Sequence, residues 1–262
     1  MSPAAIVPQR CVLVLPSTAE FDSRTYRIAS TLSARGHDVT VMARLAPGLP
    51  ASEVHPSGYR VLRVPVSAAA GLPGPLRGLG RLVSGRSRSA GEAAPGAVPN
   101  RGATPARPAR RRAGGLDRLA AIALTVRSQR GETHRLAPPA DLVHAMAYMG
   151  IPVGLDLGRR DGAPVIYDAR DIYVDAANLA RLPGPARRLF ARIERGWARR
   201  AQRVMTVNRP YADVMSERFG VPLPVIVLNC AYRSDPPDSR PRRFHDRLGL
   251  DPTTPVVLYQ GG

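Results

Sequence analysis

The eight residues of DARDIYVD (168–175) place Asp168, Arg170, Asp171 and Asp175 where an apolar run, PVIYDA (164–169), gives way to polar chain. Carboxylates and a guanidinium at that density can orient a hydroxyl, move a proton, or clamp a phosphate through the parallel N–H donors of arginine. Asp168, nearest the apolar run, reads as structural. Arg170 and Asp171 are the pair to which catalysis is assigned, with Asp175 as a binding residue; the competing reading is an ion pair internal to the loop that fixes its turn. His144, in DLVHAM (141–146), can donate to a ligand hydroxyl or be satisfied within the fold. Asp22 and Arg24, in PSTAEFDSR (16–24), Asn208 in NRPY and Asn229 in NCAYR complete the polar candidates. His37, His55, His134 and His245 have no partners at ligand spacing, so no zinc site is expected.

The sequence also lacks several signatures. It contains no Asp-x-Asp of the kind that holds a divalent metal beside a nucleotide diphosphate, no Gly-x-Gly-x-x-Gly and no Walker loop, which removes the main support for a dehydrogenase or an NTPase. Gly-x-Ser-x-Gly is absent too, which disfavours an α/β-hydrolase.

For these side chains to converge, the chain must deliver them to one edge of a sheet. CVLVLP (11–16), DVTVMA (38–43), YRVLRVPV (59–66), DLVHAM (141–146), PVIYDA (164–169), RVMTVN (203–208) and LPVIVLN (223–229) are short, largely β-branched apolar runs that predict strands. Helices are predicted between them. SRTYRIASTLSARG (23–36) carries Tyr26, Ile28, Ala29 and Leu32 at helical spacing before Gly36, and further helices run from Leu116 to about Arg130, up to RRDG (159–162), and through RPYADVMSERF before Gly220. In ARRLFARIERGWARRAQR the expected buried stripe is Leu189, Ile193, Trp197 and Ala201, with arginines opposite. The alternation predicts an α/β fold, a Rossmann-like parallel sheet with helices on both faces. Ligands of such sheets sit outside the carboxyl ends of the strands, which selects the loops 17–24, 144–150, 168–175, 208–211 and 229–233.

Composition adds bounds. The chain has 262 residues, a net charge of +18 and 5% aromatic residues, and all 38 of its basic residues are arginine. Arginine without lysine, beside abundant Ala, Gly and Pro, is the imprint of GC-rich codon usage, so the charge alone does not imply nucleic acid, and none is expected as a partner. Nine of the arginines, Arg77 to Arg112, fall in residues 71–115 against one acid, Glu92. That Pro/Gly-rich stretch has no apolar periodicity and is expected to be a disordered insertion, with contact to an anionic membrane as its functional reading. Cys11 and Cys230 lie in separate apolar stretches and are expected to be buried, reduced thiols. No apolar run is long enough for a signal h-region or a membrane span, so the expected location is cytoplasmic, with peripheral contact at the inner membrane face allowed by the basic insertion.

Taken in order, these segments resemble the family 4 glycosyltransferases, enzymes of the two-Rossmann-domain GT-B fold. DSRTYRIASTLSARGHDVTVMA resembles the family's first helix and second strand. ADLVHAMAYMGIPVG, APVIYDARDIY, IERGWARRAQRVMTVNRPYADVMSERFGVP and VIVLNC resemble its later elements, and RFHDRLGLDPTTPVVLYQGG resembles the interdomain linker and first strand of the second domain. The resemblance implies the N-terminal half of a GT-B fold: an acceptor-side domain over 1–230, a linker over 231–254, and the start of a donor domain over 255–262. It implies hexosyl transfer from a nucleotide sugar to a saccharide or lipid-linked acceptor, retaining and metal-independent, with no cofactor beyond the donor. Asp22, Arg24, His144, Asp175 and Asn208 would face the acceptor; Asn229, Gly261 and Gly262 would face the donor. The chain departs from the family in two ways: Arg170 stands where a histidine is frequent, and PSTAEFDSR replaces a glycine-rich loop after the first strand. A GT-B-like nucleotide-sugar epimerase is the alternative enzyme, and a non-catalytic basic module for anionic lipid or nucleic acid the alternative of another class.

Overall fold

The computed structural model describes residues 7–70, 115–230, 235 and 242–257. The chain divides into two compact units, Met1–Leu228 and Asn229–Gly262. The first contains an eight-stranded sheet built from β1 (Arg10–Val14), β2 (Asp38–Arg44), β3 (Ser52–Val54), β4 (Arg60–Val64), β5 (Leu142–Met146), β6 (Val165–Asp168), β7 (Arg203–Thr206) and β8 (Val225–Ile226). Their order is β3-β4-β2-β1-β5-β6-β7-β8, and every neighbouring pair is parallel except β3–β4. The chain reverses its direction of travel across the sheet between β1 and β5, the place at whose carboxyl edge sheets of this kind bind ligands.

The strands are apolar on both sides because both faces are covered. One face buries Leu13, Leu15, Val41 and Met146 under α1 (Ser23–Ala34), through Ala29. The other buries Val14, Ala145, Val165 and Tyr167 under α3 (Ala147–Asp161), α5 (Gly184–Ala198) and α6 (Arg209–Phe219), with α2 (Gly115–Leu136) packed on α3. Helix α3 lies unusually close to the strands. A Cβ at Gly154 would lie 2.5 Å from that of Ala145, one at Gly158 would lie 2.4 Å from Val165 Cγ2, and one at Gly150 would lie 2.9 Å from the Val14 carbonyl. Glycine at every fourth position therefore lets this helix approach the sheet.

Three helix starts and stops follow local chemistry. Asp22 caps α1 by accepting from Thr25 N–H at 2.9 Å, and Asn208 caps α6 by accepting from Tyr211 N–H at 2.8 Å. Gly220 closes α6 in the left-handed conformation, φ 62°. A 3₁₀ turn (Tyr173–Asp175) and the short α4 (Ala177–Ala180) bridge β6 to α5.

Several expectations change. The buried stripe of α5 is Ala186, Phe190, Glu194 and Ala198, whereas Leu189 and Ile193 are 49% and 41% exposed. The helix is turned by one residue from the expected register, because Phe190 supplies more apolar area than Leu189 and the sheet offers Glu194 a phenol to bond. The predicted strand over 223–229 shortens to Val225–Ile226, a sheet edge whose two side chains are exposed. Cys11 is buried in β1, but Cys230 is exposed. Hairpin strand β3 and helix α7 (Arg243–Leu248), within the expected linker, carry too little apolar periodicity to be read from sequence. Residues 255–257 form no strand, and 258–262 lie outside the described residues, as do 71–114 of the expected 71–115 insertion, whose last residue, Gly115, begins α2.

Candidate functional site

Alternation along the strands decides which side chains meet. On β5 and β6 the period of two sends Val143, Ala145, Val165 and Tyr167 to the α3 face, leaving His144 and Asp168 together on the face that α1 covers. Register places His144 opposite Ile166 and Met146 opposite Asp168. The first turn of α1 then brings Arg24 over them.

Asp168 is fully buried, Arg24 is 3% exposed and His144 5%. Arg24 grips both carboxylate oxygens, Nε to Oδ2 at 2.8 Å and Nη2 to Oδ1 at 3.0 Å, and its Nη1 donates to the Val227 carbonyl at 2.7 Å. His144 Nε2 lies 3.2 Å from Asp168 Oδ2, so the tautomer that bonds an ionised carboxylate carries its proton on Nε2. Burial pushes the Asp168 carboxyl up, but His144 and Arg24 outweigh it and hold the group below the ordinary carboxylate range. The cluster ties α1, β5, β6 and the segment after β8 into one buried knot.

A second layer lies nearer solvent. Arg170 donates through Nη1 to both oxygens of Asp22, at 2.9 and 2.8 Å, and the same Asp22 caps α1. The Arg170 side chain is 26% exposed, and its Nε and Nη2 make no hydrogen bond among the described residues. Burial alone would lower its pKa, but Asp22 outweighs that and raises it, so the cation is fixed in place. Asp171 accepts the Ile172 N–H at 2.8 Å through Oδ1 and forms no ion pair among the described residues. Around this layer two alanines adopt left-handed backbone, Ala19 (φ 67°) after β1 and Ala147 (φ 58°) after β5. Each such non-glycine conformation costs on the order of 1 kcal/mol, and strain of this kind concentrates at binding sites.

The structure thus brings Asp22, Arg24, His144, Arg170 and Asp171 to the carboxyl edge beside the β1–β5 reversal. Asp175 lies apart from Arg24 and Asp168, paired with Arg187 and Arg218 at 2.7 Å each. Asn208 sits at the carboxyl end of β7 as a helix cap. Asn229 belongs to the second unit, and Gly261 and Gly262 lie outside the described residues. Asp168, read from sequence as structural, is the hub. Glu194, a charge in an otherwise apolar i, i+4 row, went unread; Tyr167 donates to it at 2.7 Å beneath α5. No group of three or more His, Cys, Asp or Glu is placed to hold a metal among the described residues, and no described helix is long and apolar enough to cross a membrane.

Fold and edge together define a Rossmann-like α/β domain with a polar side-chain cluster beside the strand-order reversal. Residues 22–231 match the glycosyl transferase 4-like domain, and the chain belongs to that family. Among curated proteins nothing matches. Solved structures similar to it include a sucrose-phosphate synthase from Thermosynechococcus elongatus (16% identity, TM-score 0.47, 84% of this chain and 47% of that one). The calicheamicin glycosyltransferase CalG4 is similar at 13% identity and TM-score 0.45, over 81% of this chain and 52% of that one. A trehalose 6-phosphate synthase from Burkholderia multivorans is similar at 11% identity and TM-score 0.42, over 82% and 42%. The chain spans about half the length of these three.

Proposed function

We propose that the chain forms the acceptor-facing half of a GT-B glycosyltransferase. The enzyme would move a hexosyl group from a nucleotide sugar to a hydroxyl of a saccharide or lipid-linked acceptor, with retention at the anomeric carbon and without a metal. Family membership supports the class of reaction. The observation that carries the site is Arg170: a cation held by Asp22 through one nitrogen, with two further N–H-bearing nitrogens uncommitted at the carboxyl edge.

In this reading each residue has a physical task. Asp168 locks Arg24 and His144, so α1 and β5 keep a fixed spacing. Asp22 fixes Arg170 so that no side-chain ordering is needed when charge develops on the departing diphosphate, the condition under which a fixed cation lowers a barrier most. Asp171, with Oδ2 unengaged, orients the acceptor hydroxyl. The donor's nucleotide would be gripped by a second domain joined after this one, and residues 1–262 alone should bind acceptor without turnover.

The test is turnover by the enzyme assembled with its donor-binding half. Arg170→Lys and Arg170→Ala should each lower kcat at least about tenfold, the scale of one charge-assisted contact in a transition state, while Tm changes little. Lysine keeps the charge but loses the planar fork. Normal turnover in both variants, or loss that merely tracks a collapsed Tm, would make Arg170 a structural partner of Asp22. Full activity in a chelator is expected, and dependence on an added divalent ion would sink the metal-free part.

A further inference from the structure

The opposite face of the sheet carries a feature that the sugar-transfer reading does not use. A groove of about 930 Å³ runs between α5 and α6 and is lined by Arg187, Arg188, Arg192, Arg195, Arg199 and Arg218. Its carboxylates are Asp175, consumed by Arg187 and Arg218, and Glu194, which lies 2% exposed on the floor and bonded to Tyr167. Arg188, Arg192 and Arg195 form no ion pair among the described residues, and Arg199 is engaged only through Nε with the Phe219 carbonyl at 2.8 Å. Arg195 and Arg199 both reach Gly220 at the end of α6: a Cβ there would lie 2.5 Å from Nη2 of Arg199 and 3.3 Å from Nη2 of Arg195. The Phe219 carbonyl at the end of α6 answers Arg199, but Arg188, Arg192 and Arg195 have no carboxylate partner among the described residues, so the groove carries positive charge that an anion can neutralise.

We propose that this groove is a second ligand site, built for a phosphate-bearing group held between the arginines of α5 and the Arg218 end of α6. A tetrahedral phosphate offers the oxygens that several arginine forks can share, and the excess of cations over available carboxylates supplies its countercharge. The phosphate can come from a soluble phosphoester or from a lipid headgroup. The exposed Leu189 and Ile193 lie on the same helix beside Arg188 and Arg192, which gives a lipid source apolar contacts as well.

Titration calorimetry of the full chain with inorganic pyrophosphate, and sedimentation with phosphatidylglycerol vesicles, test the site and separate the two sources. The triple variant Arg188→Ala, Arg192→Ala, Arg195→Ala removes exposed side chains and should fold with unchanged Tm. The variant Arg35→Ala, Arg60→Ala, Arg203→Ala lowers net charge equally at exposed positions outside the groove. Pyrophosphate binding weakened at least about tenfold in the first variant and within about twofold of wild type in the second establishes a soluble-phosphate site. Vesicle binding lost in the first variant, kept in the second, and reduced by Leu189→Ser with Ile193→Ser establishes the lipid source. Equal weakening in both triple variants would reduce the groove to a share of the overall charge, and undiminished binding in the first, or no binding of either probe to wild type, would overturn the proposal. None of these readouts depends on sugar transfer.

Discussion

Asp168 accepts three hydrogen bonds in a place water does not reach. A buried ion pair contributes little net stability when whole, but removing one partner strands the other charge, which costs about 3–5 kcal/mol. Asp168→Asn should therefore lower unfolding free energy by that amount in urea titrations, and adding Arg24→Met should recover part of it. The pH dependence has a definite sign. Because the folded pKa of Asp168 is depressed, its contribution is present above the unfolded value near 3.8 and is lost as pH falls through the folded pKa. The gap between wild type and Asp168→Asn should narrow steadily in acid, and a gap constant down to pH 2 would contradict the assignment. DARDIYVD showed in sequence that charge collects behind β6. That Arg24 would lie on Asp168 was not legible, since the two are 144 residues apart and only the packing of α1 on the sheet joins them. The same holds for Asp22 and Arg170, separated by 148 residues.

At the scale of elements, α3 and α5 meet the sheet in contrasting ways. Gly154→Ala drives a methyl group into Ala145, and overpacking of this kind costs about 1–3 kcal/mol; Ala145→Gly in the same chain should restore much of the lost Tm. Helix α5 instead buries an acid. Burial pushes the Glu194 carboxyl up to about 7, against an ordinary 4.5, with Tyr167 and Arg218 only partly opposing. With the folded pKa raised, its contribution is fully present below 4.5 and disappears as pH rises to about 7, a loss of about 3 kcal/mol. Urea midpoints at pH 5 and pH 7.5 should therefore diverge more in wild type than in Glu194→Gln, which cannot ionise; identical divergence would show that Glu194 titrates normally. Sequence periodicity found α5, and Trp197 and Ala201 do pack on the core, but Leu189 and Ile193 were placed where Phe190 and Glu194 lie, because they outweigh Glu194 on any apolar count. The decisive term, a phenol waiting on β6, is visible only after the strand is in place.

For the whole molecule, the order of strands and helices was readable because apolar runs of four to seven residues and helical stripes alternate down the chain. The rule that ligands gather at carboxyl ends then placed most of the candidate residues without coordinates. Short or peripheral elements were harder: β3, three residues long, carries too little pattern to be read, and the run over 223–229 predicted a strand of which only Val225–Ile226 pairs. The two cysteines offer a separate test of the assembled fold. Cys11 lies in β1 with its thiol pushed up by burial, whereas Cys230 is exposed just past the Leu228/Asn229 boundary between the two units. Disulfide-exchange reagents need both access and thiolate. One thiol should titrate in the native protein and a second only in denaturant, and two rapid native equivalents would mean that β1 opens. The unaltered chain thus already carries one addressable position for a fluorophore or spin label, at the junction of its two units, with no engineered cysteine needed.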